Sequence, residues 1–217
     1  MIEAILPAVA VVVEARADEG ERPLLDEEQA IVGRAVEKRR EEFATGRACA
    51  RAALERLGHE PAPILSGERG EPLWPEGVVG SITHCNGYRA AAVAPSSELR
   101  SIGIDAEPHA PLPEGLLGDI AWEEELAHLS DLSRLDPAVH WERLLFSAKE
   151  SVYKAWFPLA RRWLGFEDAR LKLDPSSRKF EARLLVAGPV VNGRAIDRFS
   201  GAWLVRDGLV LTAIAVT

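Results

Sequence analysis

Cysteine is scarce: Cys49 and Cys85 are the only two in 217 residues. So small a number, at no metal-ligand spacing, excludes a disulfide framework and a cysteine-based zinc site. Basic side chains are in deficit, 26 against 34 acidic ones, for a formal net charge of -8. That balance argues against a general nucleic-acid binder, whose affinity comes from neutralising phosphates. The N-terminal apolar run Ile5 to Val13 is interrupted by Pro7, lacks a basic leader and is flanked by Glu3 and Glu14. It is neither a signal peptide nor a membrane span, so the protein is expected to be soluble and cytoplasmic, with no membrane partner. Also missing are G-x-x-x-x-G-K-[ST], G-x-G-x-x-G and the nucleophile elbow G-x-S-x-G.

What is present suffices for a folded core. Apolar residues make up 47% and charged residues 28%, and the length fits one large domain or two small ones. A helix is expected between about Glu27 and Leu57, with Val36, Phe43, Ala50, Leu54 and Leu57 as its apolar stripe and Gly58 as its stop. A turn-rich stretch from Pro61 to Gly77 reads as a long loop. Val78 to His84 and Tyr88 to Ala94 then flank Asn86-Gly87, the signature of a hairpin with a type I′ turn. Ser101 to Asp105 can add a third strand to that sheet.

The second half repeats the order. Helices are expected at Trp122 to Leu129 and His140 to Trp156, the latter burying Leu145, Ala148, Val152 and Ala155, with Pro158 just past its end. Strands follow at Leu171 to Leu173, Phe180 to Val186, Ala202 to Val205 and Leu209 to Val216, the last two joined at Asp207-Gly208. Helices followed by an antiparallel meander, twice over, predict an α+β fold of two similar lobes, 1–108 and 109–217, packed as one body.

Three segments carry groups suited to chemistry. In Gly103-Ile104-Asp105-Ala106-Glu107, the two acids are two apart on a predicted strand and share a face, so both carboxylates can reach one ion. Hard oxygen donors with open positions suit Mg2+ when a substrate phosphate completes the shell. The same string also marks the solvent face of an edge strand. In Phe146-Ser147-Ala148-Lys149-Glu150-Ser151-Val152-Tyr153-Lys154, Glu150 offers a third carboxylate and the lysines can neutralise phosphate. Glu150 and Lys154 also form an i, i+4 pair that on a bare surface does little. Finally, Arg34 to Arg56 holds seven basic and four acidic residues on an otherwise acidic half, a local patch for a small polyanion or simply a solvated helix face. Helical geometry places Arg40 on one flank with Arg47 and Arg51, and Arg39 on the other.

In this order the segments resemble the 4′-phosphopantetheinyl transferases, in the larger pseudo-dimeric class of surfactin and enterobactin synthetase activators. The carrying strings are Gly80-Ser81-Ile82-Thr83-His84-Cys85, the Asp105/Glu107 segment, the Lys149/Glu150 segment, Arg39-Arg40-Glu41-Glu42-Phe43, Gly46-Arg47 and Gly70-Glu71-Pro72. Trp74-Pro75-Glu76-Gly77-Val78-Val79-Gly80-Ser81 and Lys154-Ala155-Trp156-Phe157-Pro158 bring the likeness closest to the actinobacterial enzymes. The resemblance implies transfer of the 4′-phosphopantetheine arm of coenzyme A to a serine of an apo acyl or peptidyl carrier protein of polyketide, nonribosomal peptide, siderophore or fatty acid synthesis. Adenosine 3′,5′-bisphosphate is released. It implies Mg2+, or Mn2+, on Asp105, Glu107 and Glu150, and Glu150, Lys154 and Asp105 as the catalytic groups. Arg39, Arg47, Ser81, Thr83, His84, Lys149 and Lys154 are implied to bind coenzyme A, and a monomer is expected. Glu71 departs from the family, where lysine is usual, and so do Phe146 and Ser151, where tryptophan and alanine are usual. Arg161 and Arg162 are candidates for the carrier-docking surface. Two other readings stand beside this one: a catalytically inert coenzyme A-binding module, and a Mg2+-dependent phosphohydrolase in which water replaces the serine.

Overall fold

The apolar N-terminal run becomes a strand. In a computed structural model that describes residues 1–16 and 23–217, Val11–Ala15 (β1) buries Val12 and Ala15 and pairs antiparallel with a later strand. The single long helix expected next is two helices, Asp26–Val32 (α1) and Glu37–Arg56 (α2). Gly33 closes the first and Val36, in extended conformation, opens the second, so Val36 is 74% exposed rather than part of a stripe. The buried face of α2 is Gly46, Cys49, Ala50, Ala53 and Leu54, small residues at helical spacing that let the helix lie close on the sheet.

The hairpin forms as expected from Val78–Cys85 (β2) and Tyr88–Pro95 (β3), with Cys85 opposite Tyr88. Only Gly87 of its turn takes positive φ, so it is not the type I′ turn anticipated. Strands β1, β3 and β2 make a three-stranded sheet in that order. The next strand, Ser101–Pro108 (β4), does not extend that sheet. It pairs instead with the last strand, Leu209–Val216 (β10), placing Asp105 opposite Thr212 and Glu107 opposite Val210.

Three helices follow β4: Leu116–Ile120 (α3), Glu123–Leu135 (α4) and Trp141–Ala160 (α5). Pro158 lies inside the last turn of α5, not beyond it, and the helix ends at Arg161 with φ 52°. A proline there forfeits a single backbone bond near an end that frays anyway. Strands Ala169–Asp174 (β5), Lys179–Leu184 (β6), Val190–Val191 (β7), Arg194–Ala195 (β8) and Arg198–Arg206 (β9) precede β10. The five-stranded sheet runs β4-β10-β9-β6-β5, and β7 pairs only with β8.

Both larger sheets share one plan: a first strand, then helices, then a hairpin whose last strand pairs back onto the first (β1-β3-β2 and β4-β10-β9). Their edges meet where β2 and β4 run side by side. No backbone ladder joins them; hydroxyls do. Ser81 Oγ accepts the Ile104 N–H at 3.1 Å and Thr83 Oγ1 accepts the Ala106 N–H at 3.0 Å. One apolar cluster, including Ala90, Ala92, Ile102, Ile104, Leu211 and Ala213, spans both sheets. On the far side α5 buries Leu144, Leu145, Ala148, Val152, Ala155 and Trp156 against the five-stranded sheet. Each fully buried large side chain contributes about 1.5–3 kcal/mol. Gly103 sets how close α5 comes, because a Cβ there would strike the Ser151 carbonyl and approach the Ala155 nitrogen to 2.7 Å. Among the described residues no helix is long and apolar enough to cross a membrane.

Candidate active site

Asp105 projects from β4 beside the seam and is 5% exposed. Its Oδ1 accepts Lys154 Nζ at 2.7 Å and the Thr83 hydroxyl at 3.3 Å, while its buried Oδ2 has no partner. Lys154, from α5, also donates to the Ile104 carbonyl at 3.0 Å. Glu107, two residues along the same face, gives Oε2 to Arg143 Nη1 at 2.9 Å. Burial first, and then the Asp105 charge, push the Glu107 carboxyl up to about 7, with Arg143 pulling the other way. Glu150 lies one helical turn before Lys154. Burial and the charge of Asp105 raise it too, against the opposing pull of Lys154.

The same cavity, of about 330 Å³, is lined from the other side by Arg39, Arg47 and His84. Arg47 is 5% exposed, stacks over the Phe43 ring at 4.3 Å and donates to Ser66 Oγ at 2.9 Å, leaving Nε buried without a partner. Burial lowers its guanidinium to about 10. Arg39 Nη1 lies 2.6 Å from His84 Nε2. A guanidinium can only donate, so Nε2 is the acceptor and the ring proton sits on Nδ1, which faces Glu42 Oε2 at 3.7 Å. Partial desolvation, followed by the Arg39 charge, holds His84 below the ordinary imidazole value. Glu42 also faces Arg89 at 3.6 Å, anchoring this cationic group from behind.

Not every expected residue reaches the cavity. Lys149 points to the opposite side of α5, where its ammonium is held by Glu125 Oε2 at 2.8 Å and by the carbonyls of Ile120, Phe166 and Ala169 at 2.6, 2.9 and 3.3 Å. Ser81 and Thr83 are buried, their hydroxyls committed to the seam. Arg40 donates to the Gly33 carbonyl at 2.9 Å and closes α1 instead of joining Arg47. Glu71 receives the Arg69 N–H at 3.0 Å and lies 3.6 Å from Arg161, in a neighbouring pocket with Trp74 and Tyr153. Arg162 stacks on Trp156.

Comparison with known proteins bears directly on this arrangement. Residues 27–94 match the family model for the 4′-phosphopantetheinyl transferase N-terminal domain, and residues 101–199 match that for the 4′-phosphopantetheinyl transferase superfamily. The chain is 55% identical over 219 residues to 4′-phosphopantetheinyl transferase Svp of Streptomyces mobaraensis, covering 100% of this chain and 89% of that one. It is 51% identical to PptT of Mycobacterium tuberculosis, covering 88% and 86%, and 33% identical to enterobactin synthase component D of Salmonella typhimurium, covering 82% and 72%. The chain belongs to the 4′-phosphopantetheinyl transferases.

For a transferase of this family the fit of a divalent cation can be tested on the residues themselves. No three acidic, histidine or cysteine side chains among the described residues are gathered into a ready metal site. Yet Asp105 Oδ2 is buried and unpartnered, Glu150 accepts no hydrogen bond among the described residues, and both Glu107 and Glu150 are raised by the Asp105 charge. Two glutamates that each feel the Asp105 charge, beside its orphaned oxygen, are the hard oxygen donors a divalent cation takes. Arg143 went unnoticed in the sequence, and Glu42 was quoted there without a role. Arg143 could have been found, because it lies seven residues before Glu150 on one face of the same helix.

Proposed function

We propose that this transferase moves the 4′-phosphopantetheine arm of coenzyme A onto a serine of apo acyl or peptidyl carrier proteins, releasing adenosine 3′,5′-bisphosphate, with Mg2+ held by Asp105, Glu107 and Glu150. The observation that carries the reading is one cavity lined by three carboxylates and Lys154 on one side and by Arg39, Arg47 and His84 on the other. The cationic side suits the 3′-phosphate and adenine end of coenzyme A, and the acidic side would hold a divalent cation near the pyrophosphate. Bound there, the cation would supply neutralisation of the charge that builds on the pyrophosphate as its bond breaks.

The protein's own groups do the rest. Lys154 offsets charge on the pyrophosphate from beside Asp105. Glu150, which lines the cavity one turn from Lys154, accepts the proton of the attacking serine. Ser81 and Thr83 act in this reading by tying β2 of the first sheet to β4 of the second, and Lys149 acts by anchoring α5. Both halves of the cavity come from one chain, so the enzyme works as a monomer, in the cytoplasm.

The test is intact-mass measurement of an apo carrier protein incubated with this protein, coenzyme A and Mg2+, with EDTA as control. A gain of one phosphopantetheine arm, lost with EDTA, is expected. No gain across several carriers overturns the reading; release of adenosine bisphosphate without a carrier points to hydrolysis instead.

A further inference from the structure

Arg143 stands outside the cavity but grips it. On the first turn of α5, its guanidinium makes three bonds at once: Nη1 to Glu107 Oε2 at 2.9 Å, Nε to the Ala110 carbonyl at 3.1 Å and Nη2 to the Pro111 carbonyl at 2.6 Å. The side chain is 13% exposed. Two of the three contacts are to backbone, so the guanidinium is a fixed post rather than a counter-ion that follows its partner. Lys154 plays a matching part three turns further on, tying Asp105 by Oδ1 alone. Each acid of β4 is thus held through one oxygen by a cation of α5, and Glu150 lies between the two cations.

We propose that Arg143 is a positioning residue for the divalent cation: by fixing Oε2 of Glu107 it turns the other oxygen, Oε1, toward the ion shared with Asp105 and Glu150. The inference rests on the reading of those acids as the metal ligands. Removing the charge alone acts in two directions, relieving repulsion of the cation but also letting the Glu107 carboxyl rise further, so Arg143→Lys, which keeps the charge and loses the fork, separates positioning from simple electrostatics. As a positioning residue its loss loosens binding, in the range of about 10- to 100-fold that outer-shell partners commonly carry.

The experiment is an electron paramagnetic resonance titration with Mn2+ alone, on wild type, Arg143→Ala, Arg143→Lys, Glu107→Gln and the double variant Arg143→Ala/Glu107→Gln. Thermal melts confirm that each protein is folded. Wild type should bind, Arg143→Ala should bind at least tenfold more weakly, and adding Arg143→Ala to Glu107→Gln should change nothing further. Arg143→Lys keeps the charge but not the fork, so it should also weaken binding; it carries the test if the alanine variant does not fold. Unchanged or tighter binding in either single Arg143 variant overturns the proposal. So does the same loss in the Glu107→Gln background, which would mean a general packing effect. Absence of Mn2+ binding by wild type overturns the metal reading itself, and this inference with it.

Discussion

Lys149 and Lys154 stand five residues apart in one string, yet replacing them should give opposite phenotypes. Consider Lys149→Met. The change removes an ammonium bonded to Glu125 and three carbonyls, and leaves the Glu125 carboxylate, 3% exposed, without its cation. Glu125 keeps its bonds from the N–H groups of Leu171 at 2.7 Å and Trp122 at 2.8 Å, so some compensation survives. Breaking a buried pair from one side costs about 3–5 kcal/mol. Against a total of about 5–15 kcal/mol, that is about a fifth of the stability or more. With a urea slope of about 2–3 kcal/mol/M, the midpoint should fall by about 1–2.5 M in a urea titration followed by circular dichroism at pH 7. Lys149→Met/Glu125→Leu should recover only part of the loss, since it removes the uncompensated charge but leaves the N–H groups of Leu171 and Trp122 without an acceptor. The Michaelis constant for coenzyme A of the folded variant should be unchanged. A stability loss under about 1 kcal/mol, together with a tenfold rise in that constant, would refute the reasoning and return Lys149 to the substrate.

Three further outcomes are expected. Gly103→Ala should push α5 off β4, because its Cβ meets the backbone of Ser151 and Ala155; a loss of about 2 kcal/mol or more and collapse of transfer should appear together in melts and turnover assays. Arg47→Ala should raise the Michaelis constant for coenzyme A far more than that for dephospho-coenzyme A, and equal rises would place Arg47 away from the 3′-phosphate. In metal-free protein, Glu107 holds its proton up to about pH 7 whereas the unfolded chain releases it near 4.5. The native state therefore binds more protons across that window, and stability should fall as pH rises through it, by at most about 3 kcal/mol. Urea midpoints at pH 5 and 7.5 test this, and Glu107→Gln should flatten the difference.

Local signals were legible in the sequence and long-range ones were not. Asp207-Gly208 does form the anticipated turn, with φ of 51° and 75°, because the demand for positive φ is met by two adjacent residues. Asn192-Gly193 forms the same kind of turn between β7 and β8, a signal that strands of two residues made easy to overlook. The membership of β4 in the second sheet could not be read, since nothing in Ser101 to Pro108 specifies a partner on the other side of three helices. The opposed directions of the two lysines were readable in principle. Five residues at about 100° each leave them about 140° apart on the helix, so both cannot face one cleft. Arg39 and Arg40 share α2 with Arg47, so helical angle alone could not choose between them: long side chains reach round the helix, Arg40 back to the Gly33 carbonyl and Arg39 to His84.

The pairing of β4 with β10 also has a consequence in time. Asp105 and Glu107 emerge early in synthesis, but the strand that backs them, with Thr212 and Val210 opposite, is made about a hundred residues later. Until then β4 has an open edge on each side, with only the Ser81 and Thr83 hydroxyls to cover one of them. A ribosome-bound chain thus carries its acids without the frame that aims them. The acids gain their frame only once β10 has paired with β4, and until then the unpaired strand is an edge open to misassembly.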